Sequence, residues 1–200
     1  MAEPENIKRG KPRHEKKPPK KITEKYLYNS GLAYLQRFPA STPHFRRVMG
    51  RKIDRSCNYH KEQSKEECLA MLESTIAGFE RMGLLNDEAY LSGMINSLRR
   101  RGLSKQAILS KLQMKGLPQT AIVEGLRAYD EASGATDADL AAAVKLTRRK
   151  RLGAYRREGE FDRNKELASL ARAGFGFDIA QKALALSKDE AEDIILEIRL

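Results

Sequence analysis

The feature that most constrains this chain is an internal echo. The stretch "LQMKGLPQTAIVEGL" (Leu112 to Leu126) returns 58 residues later as "LARAGFGFDIAQKAL" (Leu170 to Leu184). The same offset carries Ser104 to Asp162, Leu109 to Leu167 and Gly116 to Gly174, so a capping residue, a core residue and a helix-ending glycine recur together. A fainter copy lies 63 residues upstream, where Ser41, Phe45, Met49 and Lys52 precede Ser104, Ile108, Leu112 and Lys115. That copy lacks the glycine, and its "STP" offers Thr42 as N-cap with Pro43 at the first helical position. Units of about 45 to 60 residues bury too little surface to be secure alone, and stacking on neighbours completes their cores.

Within each period the pattern is helical. In "QSKEECLAMLESTIAGFERMG", Leu69, Leu72, Ile76 and Phe79 recur at spacings of three and four, predicting a core-facing stripe. In "LSKQAILSKLQMKG", Ser104 is the N-cap, Ile108, Leu109 and Leu112 share a face, and Gly116 is the stop. Pro118 then opens a helix carrying Ile122, Leu126 and Tyr129. No segment alternates with the β-branched richness of a strand. The expectation is an all-α fold: a tandem array of three three-helix units (22–83, 86–130 and 137–200) forming an elongated, curved molecule. Each unit reads as a long helix, a short capped helix, a glycine or turn, and a third helix. Residues 1–21 precede the array with eight Lys/Arg against three Glu, four Pro and almost nothing apolar, and read as a disordered basic tail. Such a tail is either a phosphate-seeking arm or a solubilising extension.

Charge narrows the partner. Lys and Arg number 38 against 27 Asp and Glu, a net charge of +11, which favours nucleic acid, a nucleoprotein or another acidic surface. Two clusters stand out. "LRRRGLSK" places Arg99, Arg100 and Arg101 at the end of one helix with Lys105 beginning the next, and Lys111 and Lys115 follow. "KLTRRKRLGAYRREG" places Lys145, Arg148, Arg149, Lys150, Arg151, Arg156 and Arg157 at the corresponding end of the third unit. Arg46, Arg47, Arg51 and Lys52 form a looser set in the first unit. Cations at helix C-termini are favoured by the dipole by roughly 0.3 to 1 kcal/mol, so solvated helix ends are one reading. Recurrence at equivalent ends, and mutual repulsion within "RRKR", favour the other reading, a surface for partner or DNA.

Catalytic patterns are missing. The chain has no GxxxxGK[ST], no GxGxxG between strand and helix, no HExxH and no paired CxxC. Cys57, His60 and Cys68 lack a clear fourth ligand for zinc, and Cys57 with His60 lacks an orienting acid. The two cysteines read as reduced cytosolic thiols before they read as a disulfide. The expectation is a non-enzyme with no cofactor, metal site or membrane span. The charged N-terminus has no apolar h-region, so a cytoplasmic location is expected.

The junction "GLLNDEAYLSGMINSLRRRGLSKQAILSKLQMKGL", the closing "LASLARAGFGFDIAQKAL" and the earlier "YLQRFPASTPHFRRVMGRKI" together resemble the RecX family, bacterial regulators of RecA recombinase. The likeness spans about Leu32 to Leu184. Phe45, where Leu is usual, and Ala173, where a basic residue is common, depart from the family pattern. The resemblance implies a non-enzymatic modulator, and a monomer is expected. It would lie along the RecA filament, contact the single- or double-stranded DNA within it, and restrain ATP hydrolysis, strand exchange and coprotease function. A helical protein that binds DNA or RNA directly, without RecA, is the alternative that the same cations allow.

Overall fold

The computed structural model describes residues 18–134, 137–157 and 161–197, and among these it is all-helical, with no strand. The helices are α1 (Glu24–Leu35), α2 (Thr42–Tyr59), α3 (Lys65–Arg81), α4 (Asp87–Arg100), α5 (Lys105–Gln113), α6 (Gln119–Ala132), α7 (Ala138–Lys150), α8 (Arg163–Ala171), α9 (Phe177–Ala185) and α10 (Lys188–Glu197). A 3-10 turn, Gly153–Tyr155, follows α7. Local chemistry sets most starts. Ser64, Asn86, Ser104 and Asp162 each accept a backbone N–H of the helix they precede, offsetting donors that a helix leaves unpaired.

Three separate apolar clusters result, an arrangement compatible with three tandem units. Leu27, Phe45, Met49, Ile53, Leu72, Ile76 and Phe79 fill the first, with Phe45 edge-on to Phe79 at 5.7 Å. The second gathers Leu91, Ile95, Leu98, Ile108, Leu112, Ile122 and Leu126 from α4, α5 and α6. The third is built on small residues, with Ala142 and Ala143 of α7 and Ala180 and Ala183 of α9 alongside Val144, Leu170 and Leu184. Leu112 and Leu170, paired by the sequence echo, are both fully buried.

Several sequence expectations are corrected. Leu69 is 37% exposed, and Cys68 takes its place in the buried stripe with Leu72, Ile76 and Phe79. One residue of helical phase separates the two, and the smaller Cys68 side chain sits inside. Ser41, not Thr42, caps α2, accepting the His44 N–H at 3.3 Å. The middle helix of the first unit is 18 residues long, against nine for α5 and α8, because Ile53 stands where the other units have their left-handed glycine, and Gly50 continues the helix rather than ending it. The third unit exceeds three helices, adding the 3-10 turn and α10. Residues 1–17 of the basic tail lie outside the described residues. Residues 18–21 lie against the end of α2: the Lys20 carbonyl accepts from Ser56 Oγ at 2.9 Å, and the Pro19 carbonyl sits 2.8 Å from His60 Nε2.

The clusters meet at two polar joints that repeat the same chemistry. At the first, the Ser41 hydroxyl donates to the Lys115 carbonyl (2.7 Å), and the Thr42 N–H donates to Asp87 Oδ1 (2.6 Å). At the second, the Ser104 hydroxyl donates to the Ala173 carbonyl (2.8 Å), and the Lys105 N–H donates to Asp139 Oδ1 (2.9 Å). Both accepting carbonyls immediately precede a left-handed glycine, Gly116 (φ +87°) and Gly174 (φ +85°). A Cβ on Gly116 would lie 2.6 Å from Pro43 Cβ, and one on Gly174 would lie 2.7 Å from Ser104 Oγ. The recurring glycine therefore serves twice, turning the chain and letting the neighbouring helix start approach.

Candidate nucleic-acid interface

A groove of about 810 Å³ opens at the first joint, between α2 on one side and α4 and α5 on the other. Five cations line it: Arg47 and Arg51 from the first unit, and Arg101, Lys111 and Lys115 from the second. Asp54 is the one acidic lining residue, and Met94, Leu98 and the exposed Met114 supply apolar lining. Helical phase explains the first-unit contribution. His44, Arg47, Arg51 and Asp54 recur at spacings of three and four on one flank of α2, while Phe45, Met49 and Ile53 face the core. Arg46 and Lys52 point elsewhere, to Glu73 and to the Ser30 hydroxyl.

The field inside the groove is positive. Arg47 donates to the Met114 carbonyl at the C-terminal end of α5 (2.6 Å), where the helix dipole favours a cation. His44 is held below its ordinary pKa, first by burial and then by the nearby charges of Lys115, Arg47 and Arg51. Arg51, Arg101 and Lys111 are exposed, with no ion pair among the described residues to neutralise them.

The third-unit cluster joins this surface through Arg149, whose guanidinium donates to the Arg101 carbonyl at 2.8 Å. Arg100 lies close enough to Lys145 that its charge, after burial, lowers the Lys145 pKa. Lys105 and Arg157 are exposed. Lys150 donates to Ser169 Oγ (2.8 Å), and Arg148 makes an exposed pair with Glu192 (3.3 Å). Arg156 is forked onto Glu166, both bonds 2.7 Å. Arg151 caps α7 in the left-handed region, φ +58°, the sole described non-glycine residue with positive φ. The Leu152 N–H returns to the Thr147 carbonyl there, the same closure that Leu117 makes after Gly116 and Phe175 after Gly174. Arginine thus stands where the other turns use glycine, at a cost of roughly 1 kcal/mol.

One expectation drawn from the sequence fails here, namely Arg99 as a contact for DNA or partner. Its side chain is 4% exposed and donates to both Asp130 oxygens (3.0 and 2.7 Å), to Asp139 (2.6 Å) and to the Leu103 carbonyl (3.2 Å). Burial works against its charge, and the bonds to Asp130 and Asp139 outweigh that and raise its pKa. Arg99 is a clamp between the second and third units. Arg47 and Arg51, which the sequence places only in a looser set, are identifiable from their flank position on α2.

No group of His, Cys, Asp and Glu poised to hold a metal ion occurs among the described residues. Cys57 lies on α2, its sulfur 4.0 Å from that of Cys68. Burial, and then Cys57, push the Cys68 thiol up to about 11, far from a reactive thiolate. None of the described helices is long and apolar enough to cross a membrane.

No protein-family model matches the chain, and no solved structure matches it. Curated proteins do. The regulatory protein RecX of Myxococcus xanthus is 39% identical over 171 residues, covering 84% of this chain and 89% of the relative. The regulatory protein RecX of Agrobacterium fabrum is 36% identical over 118 residues, 58% of this chain and 60% of its own. That of Pelodictyon phaeoclathratiforme is 32% identical over 117 residues, 58% of this chain and 68% of its own.

Proposed function

Because the chain belongs to the RecX family, we propose that it regulates RecA recombinase by binding along the RecA–DNA filament, with no catalysis of its own. The observation that carries this reading is the convergence of cations from two units on one groove. A RecA–DNA filament is helical, repetitive and anionic, and an elongated array with repeated joints offers it repeated contacts. Once one unit is engaged, each further unit binds at high effective concentration, so modest contacts sum to tight binding. A molecule spanning several protomers resists the rearrangements of turnover. The regulator therefore lowers RecA ATPase, strand exchange and coprotease function in recombination and the DNA-damage response. It acts as a cytoplasmic monomer without a cofactor.

The groove cations would serve as well on nucleic acid alone, which keeps direct DNA or RNA binding as the second reading. Measuring RecA ATPase on single-stranded DNA separates the two, with binding to filament and to free DNA followed across a salt series. Rising amounts of protein should lower turnover, and truncation after Asp130 should cost more than a proportional share of that effect. Replacing Arg51, Lys111 and Lys115 by Ser should weaken binding and flatten the salt slope by up to ~0.7 per lost phosphate contact on a single strand. Tight binding to free DNA with RecA turnover untouched would reject the regulator and leave the direct binder.

A further inference from the structure

The loop between α7 and α8 holds an aromatic ring that the core does not use. Phe161 is 58% exposed. One of its faces is already taken, because the Arg156 guanidinium carbon lies 3.7 Å from the ring centroid. Exposure of that size, with one face covered, belongs to the opposite face and the ring edge.

The covering arginine is itself fixed. Its fork closes on both oxygens of Glu166, whose side chain is 7% exposed. Glu166 also accepts the Gly153 N–H at 3.3 Å, so one buried carboxylate ties the end of α7 to the first turn of α8. Burying a carboxylate is costly unless it is fully paired. Here the pairing holds arginine and ring in one geometry. Arg157, next to the stack, is exposed, and so are Arg148, Arg149, Lys150 and Arg151 at the preceding helix end. Exposure alone does not single the ring out, since Phe177 is 70% exposed; the guanidinium fixed 3.7 Å from its centroid and the cations around it do. That arrangement suits a single strand, whose unpaired bases stack on a held aromatic face while cations follow the phosphates.

We propose that Phe161, backed by Arg156, is a stacking platform for an unpaired base of single-stranded nucleic acid. The inference rests on the reading that nucleic acid is part of the partner. It adds that the strand is single where it meets the third unit. Duplex bases already stack on both faces and offer the ring no partner, so the platform discriminates against duplex.

The chain contains no tryptophan, so Phe161→Trp introduces a single indole reporter at the platform. Full-length F161W is titrated at low salt, without RecA, with a short oligothymidylate, a duplex and heparin, a polyanion without bases. The single strand should quench the indole strongly, while duplex and heparin bind with little change in emission. Phe161→Ala should bind the strand roughly 5- to 150-fold more weakly than wild type, with an unchanged urea midpoint, and F161W should bind like wild type. Any of three results would overturn the proposal: wild-type strand affinity in F161A, equal quenching by heparin, or no binding of the strand by the wild-type protein. RecA is absent from the assay, so the two readings fail separately. Quenching with unaffected RecA turnover removes the regulator and keeps the platform, and the reverse pattern removes the platform alone.

Discussion

Replacing Arg99 with Ala should destabilise the protein without removing a nucleic-acid contact. The side chain makes four hydrogen bonds and is 4% exposed, whereas Asp130 and Asp139 are 25% and 29% exposed. Breaking a fully buried ion pair costs about 3–5 kcal/mol, chiefly through the charge left behind. Here the stranded carboxylates sit at the edge of the molecule and rehydrate, which lowers the figure. The Leu103 carbonyl loses a donor and the arginine stem leaves a gap, which raises it again. The balance is a loss of about 2–4 kcal/mol. Urea unfolding followed by far-UV circular dichroism reads it, with the loss confined to transitions of the second and third units. Arg99→Met keeps the stem and isolates the charge contribution. Arg101→Ala is the counter-experiment: stability within about 0.5 kcal/mol of wild type, with weaker nucleic-acid binding. An Arg99→Ala protein that melts like wild type but binds DNA poorly would refute the clamp and restore Arg99 to the surface.

Other consequences can be checked at the bench. Gly116→Ala and Gly174→Ala should each lose more than about 1 kcal/mol in thermal melts, since both need a left-handed backbone and meet a neighbour within 2.7 Å. Gly93→Ala, mid-helix with nothing within 4 Å, should move the other way. Arg151→Gly should stabilise the fold by roughly 1 kcal/mol while weakening nucleic-acid binding, and a variant neutral in both respects would remove the functional meaning of that backbone. Glu166 is held below the ordinary carboxylate range, first by the Arg156 fork, and the Gly153 N–H adds to this. Its contribution is therefore complete above its unfolded pKa of about 4.3 and is lost as pH falls through the lower folded value. Urea melts should show Glu166→Gln about 1–3 kcal/mol less stable at neutral pH, with the gap closing in acid.

The repeat was legible because its signals are local. Ser104, Leu112 and Gly116 each act within a turn of their own position, as do Asp162, Leu170 and Gly174, and spacing alone reveals them. The choice between Cys68 and Leu69 was not legible, because helical phase is uncertain by one residue when two apolar side chains adjoin. The inward turn of Arg99 is hidden for a different reason. Within "RRR" the three arginines are chemically identical, and only the places of Asp130 and Asp139, 31 and 40 residues away, decide which one turns inward. The groove has the same character: Arg51 and Lys111 are 60 positions apart in sequence, and no window of the chain contains the pair.

The joints also have a polarity, like a plug and a socket. The plug is a helix-capping hydroxyl, Ser41 or Ser104, and the socket is a turn with its carbonyl turned outward, before Gly116 or Gly174. At the plug position of the third unit stands Asp162, whose carboxylate is occupied by the N–H groups of Asn164 and Lys165 and has no hydrogen to give. At the socket position of the first unit, Lys52 and Ile53 lie inside α2, and no turn is there to receive. Among the described residues, the connector that joins the three clusters is thus absent from both outer positions. Among the described residues this fitting can therefore be made only between neighbouring clusters of the one chain, and their order follows from which cluster carries the hydroxyl and which the outward carbonyl.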